Sequence, residues 1–142
     1  MNKKRVLHII DSLGFGGAQT LVKDIFEKQK NRKNIYLISL RRRLMEVKIN
    51  HENVIICSTN KKYSLMSLFK LKRTIKKEKV NILHCHLFKS QLFGFFLKKT
   101  WFPEIKLIFH EHGRIFKHSL PYRLFLKMAT PKVDLFLAVS KA

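Results

Sequence analysis

The stretch RVLHIIDSLGFGGAQTLVKDIF, residues 5–26, contains the pattern that decides the fold. Residues 5–10 form a continuous run of β-prone side chains, and residues 11–17 form a loop that contains three glycines. Beyond this loop, apolar side chains recur at helical spacing, at Ala18, Leu21, Val22, Ile25 and Phe26. A strand, a glycine loop and an amphipathic helix in this order predict the opening of a βαβ unit.

Short apolar runs and helical patterns alternate along the rest of the chain. Five more strands are predicted, at residues 35–40, 54–57, 80–85, 106–109 and 133–139. Helices are predicted at residues 64–79, 89–100 and 122–128, while residues 44–53 are ambiguous, with a short helix as one interpretation. Strands that alternate with helices and are apolar on both faces predict a parallel sheet covered on both sides. The predicted fold class is α/β, a doubly wound, Rossmann-like sheet that forms a single domain over residues 1–142.

The composition fits a domain of this size with its own hydrophobic core. Hydrophobic residues make up 46% of the 142 residues, and the two cysteines, Cys57 and Cys85, lie in apolar runs. This pattern predicts reduced, buried thiols in a cytoplasmic protein and argues against a disulfide framework. The apolar run after the basic N-terminus is too short for a signal peptide, and no run reaches the roughly 20 residues that a spanning helix needs.

The chain carries a large positive charge. Thirty Lys and Arg residues against nine Asp and Glu residues give a formal net charge of +21. This excess favours polyanions, which include phosphate groups, anionic lipid and nucleic acid. Basic residues are spread over every predicted element, and no recognition-helix, zinc-finger or RNP-type pattern occurs. A nucleic-acid-binding module is therefore the less favoured alternative.

The glycine loop is a candidate phosphate site, because ligands of open parallel sheets bind outside the carboxyl ends of the strands. Gly16 and Gly17 fall at a predicted helix start, where free N–H groups attract phosphate. A tight turn that needs positive φ and binds nothing is the alternative. Gln19 occupies the third glycine position of the dinucleotide fingerprint, so that match is incomplete. The three arginines at residues 41–43 would suit the 2′-phosphate of NADP, which keeps an NADP-binding module as another alternative.

Four of the seven histidines lie at the ends of two predicted strands. His84 and His86 are two residues apart, as are His110 and His112, so each pair points to one face of its strand. Four imidazoles would converge if these strands are neighbours, but no acidic pair completes a catalytic metal site and no metal is predicted. Hydrogen bonding within the sheet is the simplest interpretation of His84 and His110. His86 and His112 lie closer to the expected ligand crevice.

Taken in order, these motifs are similar to those of the family 4 glycosyltransferases. The loop at residues 14–19 resembles their G-G-A-E loop, residues 84–86 resemble their V-H-x-H strand end, and His112-Gly113 resembles their H-G or H-D turn. Residues 134–140, DLFLAVS, resemble their D-x-apolar-x-V-S strand. The resemblance runs over the whole chain, and the ordered set is more specific than any one motif.

The resemblance implies a GT-B fold, in which two Rossmann-like domains face each other across a cleft. This chain would be the N-terminal, acceptor-side half, and an absent C-terminal half would bind the nucleotide-sugar. Transfer would retain the anomeric configuration, with the nucleotide-sugar as co-substrate and without a further cofactor or a metal. The acceptor would be a glycan or a lipid-linked molecule.

The resemblance also implies roles for individual residues. Gly16 and Gly17 would donate backbone N–H groups to the donor diphosphate. His112 would be the catalytic residue, because it would hydrogen-bond the donor sugar near the reacting centre. The acceptor side would contain Gln19, His86, Gly113 and Ser140. Gln19 departs from the family pattern, since it replaces a glutamate and carries no charge.

Without a C-terminal domain, the chain is expected to be inactive alone. Many members of such families act at the cytoplasmic face of the membrane, and two basic and aromatic stretches suit that location. They are the helix with Lys70, Arg73 and Lys77 and the tract at residues 93–102. These stretches predict weak peripheral association with anionic lipid. The alternative is that the apolar residues of the tract form the core face of a helix that covers the sheet.

Overall fold

The computed structural model describes residues 3–61, 64–112 and 119–138. The strands in these ranges are β1 (Val6–Ile10), β2 (Ile35–Ser39), β3 (Val54–Ile56), β4 (Ile82–His86), β5 (Lys106–Glu111) and β6 (Leu135–Ala138). The helices are α1 (Gly17–Lys28), α2 (Leu65–Lys77), α3 (Leu87–Thr100) and α4 (Leu120–Ala129), followed by a short 3₁₀ turn at Thr130–Lys132. Each strand and each α-helix agrees with a prediction from the sequence.

The six strands form one parallel sheet in the order β3-β2-β1-β4-β5-β6. This is the order of a doubly wound sheet, so the predicted α/β, Rossmann-like fold is confirmed. The strand order reverses between β1 and β4. Since α1 and α3 leave these two strands towards opposite faces of the sheet, a crevice opens at the carboxyl ends of the strands.

Two apolar cores of unequal size hold the helices on the two faces of the sheet. On one face, Val22 and Phe26 of α1 lie in a cluster with Ile10 of β1 and Leu37 of β2. On the opposite face, α2, α3 and α4 share the larger core with all of the strands except β6. Its fully buried members include Leu7, Ile9, Ile38, Leu71, Leu83, Cys85, Leu97, Leu107 and Phe109.

Helices cover only part of the sheet face on which α1 packs. β1 and β2 are almost completely buried, but His84, Ile108 and His110 on β4 and β5 are half-buried, and Leu135 on β6 is 49% exposed. The prediction of a sheet covered on both sides is therefore wrong for this half. Within the described ranges, α1 supplies all the buried helical residues of the core on this face, and Leu87 at the start of α3 packs against it.

Residues 44–53 form no helix, so the interpretation of this segment as a short helix is wrong. Its backbone bonds to a distant loop, because the Val47 N–H donates to the Leu13 carbonyl at 2.7 Å. The Glu46 carboxylate accepts the N–H of Arg43 at 2.8 Å and closes a local turn. The segment is thereby tied to the glycine loop.

Gly94 allows α3 to approach the centre of the sheet closely. A Cβ at this position would overlap Cys85 Sγ on β4 and lie 3.0 Å from Leu107 Cδ1 on β5. Cys85 and Cys57 are both buried, as the sequence predicts. Burial raises the pKa of the Cys85 thiol, so this side chain acts as a small apolar group in the contact.

We expect Gly94→Ala to lower the free energy of unfolding by about 1–3 kcal/mol, because the added methyl overpacks the contact between α3 and β4. Helix propensity alone would predict the opposite change, because alanine stabilises a helix interior by about 1 kcal/mol relative to glycine. Gly17→Ala is the matched control, since a Cβ there meets no atom within 4 Å. Urea unfolding followed by circular dichroism measures both variants. A Gly94→Ala protein as stable as the wild type would contradict this packing.

Candidate functional site

The strand register brings the candidate residues to one edge of the sheet. Ile10 at the end of β1 is aligned with His86 of β4, which is aligned with His110 of β5. The loop after β1 and the ends of β4 and β5 therefore lie side by side at the point where the strand order reverses. The glycine loop and the histidine-bearing strand ends meet on one rim, as predicted.

A pocket of about 710 Å³ opens at this rim. It lies between the glycine loop and the segment after β2, and its lining combines polar, basic and apolar groups. The lining residues are Asp11, Ser12, Gly14, Phe15, Gln19, Arg41, Arg42, Arg43, Leu44, Met45 and Asn60. A pocket of this size fits a ligand as large as a nucleotide.

Asp11 anchors two basic side chains at the rim. Its Oδ2 accepts hydrogen bonds from Arg41 Nη2 at 2.6 Å and from Arg41 Nε at 3.2 Å, and its Oδ1 accepts one from Lys89 Nζ at 3.0 Å. All three side chains are mostly buried, which strengthens the ion pairs. Because Arg41 is paired with Asp11, only Arg42 and Arg43 of the three arginines predicted to bind a phosphate remain available for it. These two side chains are exposed.

The N-terminus of α1 is open to an anion. Gly16 is the N-cap in an extended conformation, Gly17 is the first helical residue, and neither a capping side chain nor an acidic residue lies in the first turn. The free N–H groups and the positive end of the helix dipole therefore point to the rim. None of the described glycines lies in the left-handed region of φ, so the glycine loop is not a turn of the kind that requires it.

Gln19 folds back over the glycine loop. Its Nε2 donates to the Ser12 carbonyl at 3.3 Å, and a Cβ at Gly16 would lie 2.6 Å from its Oε1. This hydrogen bond shows that the Gln19 side chain holds the loop together. It does not test the predicted place of Gln19 on the acceptor side.

Five imidazoles share one face of the sheet and form a cluster at the rim. Their rings stack or tilt against one another with centroid distances from 4.1 Å to 5.4 Å. We call this the histidine cluster, which consists of His8, His84, His86, His110 and His112. The predicted convergence of four imidazoles is therefore present, with His8 of β1 as a fifth member.

Hydrogen bonds divide the histidine cluster into two chains. His86 joins His8 Nδ1 through its Nε2 at 3.0 Å and His112 Nε2 through its Nδ1 at 3.1 Å. His84 Nε2 and His110 Nδ1 lie 3.2 Å apart, which is the hydrogen bond within the sheet that the sequence suggests for this pair. In each contact a ring N–H donates to a ring nitrogen of its neighbour.

Burial divides the roles within the cluster. His86 has no exposed surface, so it can act on a ligand only through His112, and its place on the acceptor side remains a prediction. His110 and His112 are half-buried and reach the rim. Of the other residues predicted for the site, Gly113 and Ser140 lie outside the described residues.

Burial also keeps the cluster uncharged. It is the largest cause of the lowered pKa values, about 4 for His8, about 3 for His84 and about 4 for His112, against an ordinary value of 6.5. Repulsion between neighbouring imidazolium charges adds to the effect, for example from His110 on His8 and on His112. The pKa of His86 is lowered in the same way. Near neutral pH the cluster therefore offers both donor and acceptor nitrogens.

Two polar contacts, one of them buried, were not assigned roles from the sequence. Glu111 lies between two histidines in the chain, yet it points to the opposite face of the sheet, where its carboxylate accepts the hydroxyl of Tyr122. The same hydroxyl contacts Gln91 Oε1 at 3.0 Å. Asp134 of the last motif accepts the N–H of Leu107 at 2.8 Å, so it ties β6 to β5. Strand alternation predicts the opposite orientation of Glu111, whereas its partner on α4 is set by the tertiary fold.

A parallel sheet of this strand order, with an uncapped helix N-terminus at its switch point, defines the class of Rossmann-like domains, in which ligands generally bind outside the carboxyl ends of the strands. Within this class, the chain belongs to glycosyltransferase family 4, whose model matches residues 15–142. The family resemblance expected from the ordered motifs is confirmed.

Among solved structures, the chain is similar to the lipopolysaccharide outer core galactosyltransferase WaaB in its apo form. The TM-score is 0.63 at 17% sequence identity, and the match covers 98% of this chain and 40% of that chain. At this identity the likeness shows the fold, and this chain spans well under half the length of the structure it matches. No curated protein sequence matches the chain.

We expect the fold to lose stability as the pH falls from about 6.5 towards 4. A buried histidine with a lowered pKa stays neutral in the fold but binds a proton in the unfolded chain, so the unfolded state binds more protons in this range. His8 alone would account for about 3 kcal/mol. Urea unfolding at pH 7.5 and pH 5 in a buffer with EDTA measures the loss. The loss should be smaller in His8→Leu, and an equal loss in both proteins would contradict the assignment.

Proposed function

We propose that this chain is the acceptor-side domain of a retaining, nucleotide-sugar-dependent glycosyltransferase of the GT-B kind. Membership of family 4 supports the reaction class. The observation that carries the proposal is the uncapped N-terminus of α1 on the same rim as the half-buried, neutral His112. One group suits a diphosphate and the other suits a sugar hydroxyl.

The donor diphosphate would bind at the start of α1. Backbone N–H groups of Gly16 and Gly17 would donate to its oxygens, and the exposed Arg42 and Arg43 line the pocket beside the glycine loop, together with Gly14 and Phe15. Negative charge grows on the leaving diphosphate during transfer, so preorganised donors at this place would stabilise the transition state. The incomplete dinucleotide fingerprint at Gln19 and the commitment of Arg41 to Asp11 disfavour NADP as the ligand.

His112 would hydrogen-bond the donor sugar near the reacting carbon. The lowered pKa of His112, about 4, keeps its imidazole neutral, so it would act as a hydrogen-bonding group and not as a cation. His86 would orient it through the bond between His86 Nδ1 and His112 Nε2. Gln19, Gly113 and Ser140 would complete the acceptor side. The nucleotide-sugar is the co-substrate, and this reaction scheme needs no other cofactor.

A second domain would supply most of the donor site. The chain spans 40% of the length of the galactosyltransferase structure it resembles, which supports a larger active unit. Transition-state stabilisation would then be divided between two halves that close on the donor, and this half would not transfer sugar alone. The whole enzyme would act in the cytoplasm on a glycan or lipid-linked acceptor, in polysaccharide biosynthesis.

We expect UDP, used as a diphosphate probe, to bind weakly at the α1 N-terminus and Gly17→Asp to weaken this binding by about tenfold, because the carboxylate occupies the positive end of the helix. Gly17→Ala is the control, as it adds the same Cβ without charge into open space. Titrations followed by NMR compare the three proteins. Asp is favourable in the first helical turn, so Gly17→Asp should fold.

Two outcomes would overturn this proposal. Equal UDP affinity in Gly17→Asp and Gly17→Ala would remove the diphosphate site from the start of α1. Release of free sugar or formation of product from a UDP- or GDP-sugar by the 142-residue chain alone would contradict the need for a second domain.

The second part of the proposal is weak association with an anionic membrane surface. The described residues contain no helix that is long and apolar enough to cross a membrane. However, α2, α3 and α4 lie on one side of the sheet and expose large apolar side chains there. These are Leu65, Met66 and Phe69 on α2, Phe96 on α3, and Leu120, Leu124 and Met128 on α4.

Basic residues lie among these apolar side chains. Lys70, Arg73 and Lys77 of α2 are exposed, and each basic group near an anionic leaflet contributes about 1 kcal/mol. The tract at residues 93–102 contributes both to the core and to the surface. Leu97 is buried in the core, whereas Phe96 is exposed and available to a membrane. An open apolar groove of about 650 Å³ runs between α2, α3 and α4.

We expect the protein to float with vesicles that contain anionic lipid and to float less with neutral vesicles. The double variant Leu65→Ser/Phe69→Ser should bind anionic vesicles about tenfold more weakly, because it removes two exposed apolar side chains from the contact. Leu44→Ser is the matched control, since Leu44 is fully exposed at the rim pocket instead. Equal recovery with both lipid compositions would reject the association.

A further inference from the structure

The histidine cluster contains more imidazoles than the proposed transfer uses. The donor sugar needs one hydrogen-bonding group, yet five rings converge on this face of the sheet. Two sets of three place one ring nitrogen each within 4.8 Å of the others. They are His8, His84 and His86, and His86, His110 and His112.

We propose that His86, His110 and His112 bind a zinc ion or a similar transition-metal cation. The contact between His86 Nδ1 and His112 Nε2 is 3.1 Å. Two imidazole nitrogens bound to tetrahedral zinc, each about 2.0–2.1 Å from the metal, lie roughly 3.3 Å apart. A small separation of the two rings therefore makes room for a cation, and the proton between them would move to the other nitrogen of the ring that carries it, so that both ligands stay neutral.

The outer contacts of these ligands fit a metal site. His86 is held through its other nitrogen by His8 Nδ1 at 3.0 Å, and His110 is held by His84 Nε2 at 3.2 Å. Ligand histidines generally bond through the second ring nitrogen to a group that fixes their orientation. His8 and His84 would have this role, which explains why five histidines lie where three are sufficient as ligands.

Access to the surface favours this set over the other one. Besides the shared, buried His86, this set has two half-buried histidines that open to the rim, His110 and His112, whereas the other set has the buried His8. Three protein ligands leave a fourth position for water or for a ligand that enters from the rim. Because both sets need His86, the site takes one ion.

The donor atoms indicate which metals fit. Neither of the two sets includes a carboxylate, and Glu111, the neighbour of two ligands, points to the opposite face. Imidazole ligands suit Zn²⁺, Co²⁺, Ni²⁺ and Cu²⁺, while Mg²⁺ and Ca²⁺ prefer oxygen. This site goes beyond the proposed transfer, which does not require a metal.

The test uses the full chain after treatment with EDTA and removal of the chelator. At saturating Zn²⁺ we expect the Tm to rise by about 5 °C or more, and Mg²⁺ to leave it unchanged. Co²⁺ should give the intense visible absorption of a four-coordinate site. His110→Ala and His112→Ala should lose both signals. His51→Gln is the matched control, because His51 bonds to the N–H of Asn53 away from the cluster.

The substituted side chains are half-buried, so circular dichroism without metal should show that both alanine variants fold. The proposal is overturned if Zn²⁺ leaves the Tm of the wild-type protein unchanged. It is also overturned if the double variant His110→Ala/His112→Ala keeps the same Tm rise or the same cobalt spectrum. Either result leaves the diphosphate site untouched, because that site is tested by UDP and Gly17→Asp.

Discussion

The parallel, in-register pairing of β1, β4 and β5 is the constraint on which the site depends. It aligns Ile10 with His86 and His86 with His110, so the carboxyl ends of the three strands lie side by side. Side chains on the same face of neighbouring strands must then touch, and here those side chains are imidazoles. Their neutrality follows from this crowding and burial. A shift of one residue in β4 would turn His84 and His86 to the opposite face, into the larger apolar core.

Much of this fold can be predicted from the sequence, because the signals that define its elements are local. Apolar runs, helical spacing and the glycine loop after β1 identify every described strand and helix. The conformation of residues 44–53 cannot be predicted from local patterns, because the Val47 N–H bonds to the carbonyl of Leu13, which is distant in the sequence. The incomplete covering of β4–β6 depends on which helices pack on each face of the sheet. The pattern of apolar residues within a strand does not show which helices these are.

The candidate site divides in the same way. The ends of β4 and β5 can be assigned from the two-residue spacing of their histidines, but His8 sits inside an apolar run and joins the cluster only through the register of β1 with β4. Charge patterns reveal the arginines at 41–43, yet not that Arg41 alone is committed to Asp11. Contacts between residues that are distant in the sequence depend on the strand order and register, which cannot be read directly from a single sequence.

The unequal cores on the two faces of the sheet have a consequence for motion. The layer formed by α1 is held by a smaller apolar cluster than the layer formed by α2, α3 and α4. Units with less buried apolar surface open at lower free energy and exchange their amide hydrogens sooner. We therefore expect the amides of α1, which begins at Gly17, to exchange sooner than those of α3 on the opposite face.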